Sequence, residues 1–271
     1  NMDSAPAPVQ AFIRDASVDA AGDLNLTATA NQSITALVLA GSVAVSGGFY
    51  AGVSLSGAGS SSENRITVQV QAFIDGDGPL GIQARNINLT ATDTSQIDAL
   101  VGTASIAAGF GIAGIGASVG VALAENDISN QVAAYIANCD TGVQARTGNI
   151  TIQAIESATI NAITVAASAG AGAGFVGIGF SMAGAHALNV IHTQTNAFVS
   201  GSRLIAGKDA KVGAQNTATI NALIASVSAG IGGGVGGVGI SIGFSIAENL
   251  IGWSTDGSPT AKVQAYISGS S

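Results

Sequence analysis

Four copies of one unit, each about 62 residues long, fill this 271-residue chain, and a repeat of that length dictates architecture before local propensity does. Val9-Gln-Ala-Phe-Ile13 returns as Val70-Gln-Ala-Phe-Ile74, Val132-Ala-Ala-Tyr-Ile136, the degraded Asn196-Ala-Phe-Val199, and Val263-Gln-Ala-Tyr-Ile267. A second marker runs LNLTA (24–28), INLTA (87–91), ITIQA (150–154) and AKVGA (210–214). A third runs QSITAL (32–37), SQIDAL (95–100), ATINAI (158–163) and ATINAL (218–223). Asn64, Asn126, Asn189 and Asn249 close the unit, spaced 62, 63 and 60 residues apart. The copies are placed at 9–69, 70–131, 132–195 and 196–262, with 263–271 opening a fifth. Residues 1–8 read as a linker or mature N-terminal tail, because NMDSAPAPVQ has neither the basic n-region nor the apolar h-region of a signal peptide.

Inside each copy, two long segments flank a glycine cluster. From Val176 the large residues take every second position (Val176, Ile178, Phe180, Met182), with Gly177, Gly179, Ser181 and Ala183 between them. Copy four repeats this with Val238, Ile240, Ile242, Phe244 and Ile246 against glycine and serine. Period two is the signature of a strand with two different faces. A helix would smear that alternation, and each glycine in it would cost about 1 kcal/mol. Residues 157–194 carry no Asp, Glu, Lys or Arg, which permits a membrane span by length, but the periodicity and unbiased flanks argue against a transmembrane helix.

The glycine cluster itself matches GxGxxG, at Gly109/Gly111/Gly114, Gly172/Gly174/Gly177 and Gly232/Gly234/Gly237. In a dinucleotide-binding protein that pattern opens a helix and cradles a pyrophosphate. Here it recurs in three consecutive copies and is followed by strand-forming residues. It is therefore read as the apex joining two strands of a long β-arm, where large residues switch parity.

Each unit then comprises a short strand, a turn, a second short strand and two long strands. Such a unit cannot bury its apolar residues alone, so copies should stack with equivalent strands parallel and about 4.8 Å apart. The expected fold is all-β: a parallel β-solenoid (β-helix) of four repeats with long Gly/Ala-rich strand arms. Stacking places like on like. Asn64, Asn126, Asn189 and Asn249 form one candidate ladder, and Thr35, Asp98, Asn161 and Asn221 another, with a row of ligand-binding amides as the functional alternative.

Composition excludes several classes. With 47% hydrophobic and 9% charged residues the chain is not disordered. A net charge of -8 with eight scattered Lys and Arg gives no basic stripe for nucleic acid. One cysteine, Cys139, permits no disulfide framework and no cysteine-rich metal site. His186 and His192 would lie about 20 Å apart on one strand, too far to share a metal. Asp75 and Asp77 in DGDG form the one candidate Ca²⁺ contact, against a solvated turn that no other copy repeats. No convergent polar set indicates an enzyme or a cofactor.

The beats AGDLNLTA (21–28) and TGNITIQA (147–154) resemble the repeats of filamentous-haemagglutinin-type secreted bacterial adhesins. The longer unit, with its A-x-I-N-A segment, GIGASVGVALAEN (114–126) and V-x-A-Y-I, is similar to leukotoxin-type filamentous adhesins. The resemblance covers nearly the whole chain from Val9 and implies a secreted β-solenoid segment or subunit. Haemagglutinin coils are about 20 residues long, so it leaves open three coils per unit instead of one. The expected function is a structural or adhesive module at the bacterial surface, assembling with itself and contacting a host-cell or matrix surface. A membrane-active toxin module inserting Gly-rich β-hairpins and an apolar-ligand scaffold are the alternatives.

Overall fold

The structure is a computed structural model that describes residues 6–271. Among the described residues there are 21 strands and no helix. Copy one forms β1 (Ala7–Arg14), β2 (Val18–Asp19), β3 (Leu24–Ala30), β4 (Ser33–Gly47) and β5 (Ala51–Ile66). Copy two forms β6 (Val68–Asp75), β7 (Ile82–Ala84), β8 (Ile87–Asp93), β9 (Gln96–Phe110) and β10 (Ala113–Ile128). Copy three forms β11 (Gln131–Ala137), β12 (Val143–Ala145), β13 (Ile150–Glu156), β14 (Thr159–Ala173) and β15 (Val176–Ile191). Copy four forms β16 (Gln194–Ser200), β17 (Leu204–Ala206), β18 (Ala210–Asn216), β19 (Thr219–Gly233) and β20 (Gly236–Ile251), and β21 (Lys262–Ser268) follows. Ala7 and Pro8, read from sequence as tail, already pair with Val68 and Gln69; residues 1–5 of that tail lie outside the described residues.

Strands of one copy do not pair with each other. Each joins its equivalents in the other copies, in parallel and in register, to make five sheets: β1-β6-β11-β16-β21, β2-β7-β12-β17, β3-β8-β13-β18, β4-β9-β14-β19 and β5-β10-β15-β20. The register aligns the sequence markers residue for residue, for example Ala11, Ala72, Ala134, Ala197 and Ala265.

The expected parallel β-solenoid is corrected by this arrangement. Instead of one simple coil around one core, the chain builds five separate parallel sheets of four or five strands, and its interior divides in two. The first three sheets and the proximal ends of the fourth and fifth form a body around Ile, Val, Leu and Ala side chains such as Ile74, Ile87, Leu89, Ile136, Ile150 and Ile160. Burial of each large side chain there contributes about 1.5–3 kcal/mol. Beyond the body, the 15- and 16-residue strands of the fourth and fifth sheets run on as a two-layer arm. Its second, smaller core is mostly alanine: Ala122, Ala124, Ala166, Ala183, Ala185 and Ala187 around Val101. Small inner residues let the two layers collapse onto each other, so the arm encloses no lumen.

The turn after the first strand of each copy shows why the register holds. Asp15, Gly76, Asn138, Gly201 and Gly269 occupy one position and have φ values of 48°, 79°, 56°, 52° and 56°. This left-handed conformation is costly for most L-residues, and Gly, Asn and Asp tolerate it best.

Candidate functional site

The two candidate polar rows fall at the base of the arm, one on each sheet. In the fifth sheet Asn64 Nδ2 donates to Asn126 Oδ1, Asn126 to Asn189 and Asn189 to Asn249, each at 2.8 Å. Asn64, Asn126 and Asn189 are buried, so their amides face one another and not solvent. In the fourth sheet Asn221 donates to Asn161 at 2.9 Å, and Asn161 donates to Asp98 at 2.7 Å. Gln96 also donates to Asp98, and these amide donors, Asn161 first, hold the Asp98 carboxyl below its usual pKa. Thr35 lies beside Asp98 in the register.

The nine glycines of the GxGxxG pattern divide by position. Gly109, Gly172 and Gly232 end the outgoing strands, Gly111, Gly174 and Gly234 sit on the apex, and Gly114, Gly177 and Gly237 open the returning strands. Only Gly234 among them has a positive φ, at 128°. The others are glycine because of crowding. A Cβ on Gly109 would strike the Ile115 carbonyl of the facing sheet; one on Gly172 would strike that of Ile178, and one on Gly232 that of Val238. Backbone meets backbone across the arm, closer than the roughly 10 Å of ordinary face-packed sheets.

Sequence reasoning missed a third row. Ser181 Oγ donates to Ser168, Ser168 to Ser118, Ser118 to Ser105, Ser105 to Ser56 and Ser56 to Ser42, at 2.9–3.0 Å throughout. The chain zigzags between the two layers through the middle of the arm. Its signal was available, since serines recur at 42, 105 and 168 and at 56, 118 and 181.

On the first sheet Phe12, Phe73, Tyr135, Phe198 and Tyr266 stack with ring centroids 4.8–5.3 Å apart and planes within 8°. The Arg14 guanidinium lies 5.4 Å from the centroids of Phe12 and Phe73. Nearby, the DGDG aspartates reach toward the next copy. Asp75 accepts from Asn138 Nδ2 at 2.8 Å and pairs with Arg14 Nε at 3.7 Å, while Asp77 accepts from the backbone N–H groups of Thr141 and Gly142. The two carboxylates thus face different partners. Among the described residues no group of three or more His, Cys, Asp or Glu stands together. His192 Nε2 lies 3.2 Å from Asp127 Oδ1, and Arg65 Nε lies 3.2 Å from Asp127 Oδ2, so the three side chains meet at the base of the arm. His186 shares its register position with Leu123 and Ile246 on the outer face of the fifth sheet. Cys139 is buried, and burial pushes its thiol pKa up to about 11.

The outer surface of the arm inverts the pattern of the body. Leu37, Leu39, Val43, Val45, Val227 and Ile231 stand exposed on the fourth sheet, and Leu55, Val238, Ile240, Phe244 and Ile246 on the fifth. Phe49, Tyr50, Ile112, Phe175 and Val235 cap the tip. No helix among the described residues is long and apolar enough to cross a membrane, which leaves crossing by strands open.

These features define an all-β protein of parallel, in-register repeats whose polar side chains are organised as ladders. Comparison with protein-family models, with curated proteins and with solved structures found no match.

Proposed function

We propose that the chain is a structural module of a bacterial surface filament or large adhesin, without catalytic activity, that extends by adding strands to the open ends of its five sheets. The observation that carries this reading is the common direction of all five sheets. At one end of the stack β1 to β5, and at the other β18 to β21, each present an unpaired edge for a parallel strand, while β17 already gives its Leu204 N–H to Ser271. Such edges are templates for another strand. The ladders favour the same outcome, because the Asn, Ser and aromatic rows gain a partner for every copy added. Resemblance to filamentous adhesins supports the secreted location.

The first sheet has one strand more than the other four. A second copy therefore seats smoothly on β17 to β20 only where its own β1 gives way to β21, whose Val263-Gln-Ala-Tyr-Ile267 repeats Val9-Gln-Ala-Phe-Ile13. Light scattering and electron microscopy of the purified chain test the proposal. Filaments with a 4.8 Å axial repeat are expected, and a chain starting at Asp15 should elongate faster. Particles that stay monomeric at high concentration in both forms would contradict it.

A further inference from the structure

The arm is built inside out relative to the body. In the body, Ile and Val point inward, and Gln, Thr and Asn point to water. Beyond the Asn rows the same strands reverse this arrangement, with hydroxyls of Ser56, Ser105, Ser118 and Ser168 enclosed and hydrogen-bonded between the layers. Aliphatic and aromatic side chains cover both outer faces and the tip. Between the layers small Ala and Gly residues flank the serines, and the larger apolar side chains stand outside, as on a sheet adapted to hydrocarbon.

From the arrangement of charge and the length of the arm we infer that its distal part is a lipid-embedding surface, occupied by the acyl chains of a lipid layer. Asp98, Glu63, Arg65, Glu125, Asp127 and Glu248 all lie at the base of the arm, and beyond them neither layer holds an Asp, Glu, Lys or Arg up to and across the apex. The outgoing strand from Leu37 to Gly47 spans about 33 Å at the usual rise. The hydrocarbon core of a bilayer is about 30 Å thick. The arm of a second copy would cover one face and leave the other face and the tip in water, whereas hydrocarbon covers all three together. The long strands also leave their backbone unpaired at β4, β5, β19 and β20, which hydrocarbon does not tolerate. The inference therefore rests on the stacking reading, in which neighbouring copies close those edges.

Flotation of the full chain with phosphatidylcholine vesicles through a sucrose gradient tests it, with electron micrographs of each fraction. Zwitterionic lipid is the right probe, because the chain carries a net charge of -8 and no basic patch that would need an anionic surface. Wild-type filaments should float. Val227→Arg combined with Ile240→Arg, which charges one exposed position on each outer face, should lower the ratio of bound to free protein about a hundredfold or more. The variant should still form filaments. As a second measurement, Phe175→Trp in a Trp253→Phe chain should place the single indole at the tip, where brominated acyl chains quench it. Wild-type filaments that stay at the bottom of the gradient, a variant that floats as well as wild type, or an unquenched tip would each overturn the lipid surface while leaving stacking intact. Filaments that bundle without lipid, lose bundling in the variant and never float would overturn it by assigning the faces to a second copy. Protein that floats without forming filaments would overturn the stacking reading and, with it, the burial of edge-closed arms that rests on it.

Discussion

Glu156 sits one strand away from Asp93 in the interior of the body, and both side chains are fully buried. Asp93 accepts hydrogen bonds from Asn130 Nδ2 at 2.6 Å and Ser95 Oγ at 2.8 Å, whereas neither carboxyl oxygen of Glu156 has a donor of its own. Burial first, and the neighbouring Asp93 second, push the Glu156 pKa up from 4.5 to about 9. At neutral pH it is a neutral acid buried beside Asp93. A folded pKa above the unfolded one means that the associated stability is fully present below about pH 4.5. That stability drains away as pH rises toward 9, by up to about 1.4 kcal/mol per unit. Urea titrations from pH 5 to 9 should show this decline, and Glu156→Gln, which keeps the donor without the charge, should flatten it and raise stability at pH 8. An unchanged slope in the variant would contradict the assignment. This pair was not legible in the sequence. Its position holds Ala30, Asp93, Glu156 and Asn216 in successive copies, so no residue type repeats to announce it. Asn64 and its equivalents were legible because the residue itself repeats. The serines repeat equally well, but a small residue between two large ones reads first as a spacer.

Among the elements, the arm strands were the most legible. Stacking of the copies already implied that each pairs in parallel with its equivalents. How the two strands of one arm face each other was the least legible. Alternation of large residues with Gly, Ala and Ser identifies β15 and β20 as strands with two unlike faces. It does not say which strand lies beside which, because an apex joins either a hairpin or two facing layers. The structure chooses facing layers: β14 and β15 share an apex but belong to different sheets, so the Gly-rich β-hairpins of the alternative, membrane-active reading are absent among the described arms. Close approach of those layers explains the glycine content physically. A Cβ on Gly179 would strike the Ile231 carbonyl across the arm, whereas one on Gly57, on the outer face of β5, meets nothing within 4 Å. Gly179→Val should therefore destabilise by about 3 kcal/mol through overpacking. Gly57→Ala should leave stability unchanged or raise it by about 0.5 kcal/mol by stiffening the unfolded chain. Thermal melts of the two variants check this, and equal effects would show that the layers have room to move apart.

At the scale of the whole molecule, the repeat length carries information that its motifs do not. Four copies and their boundaries could be read from Val9-Gln-Ala-Phe-Ile13 and its successors, and the all-β, parallel character follows from copies too small to fold singly. The division into five sheets could not be read in full, because β2, β7, β12 and β17 are only two or three residues long, too short for a periodicity to show. The pairing of each strand with its own equivalents also fixes how tall the molecule is. One layer per copy is the claim on which the ladders, the open edges and the arm all depend. Spin labels at Gln10→Cys and Gln264→Cys, in a Cys139→Ser chain diluted with unlabelled protein, measure it most directly. These two positions lie at the ends of one row, through Gln71, Ala133 and Asn196, and are therefore four strand spacings apart. Dipolar spectroscopy should give a distance centred at about 20 Å. Three coils per copy would triple the number of spacings, and a distance near 55–60 Å would contradict the account.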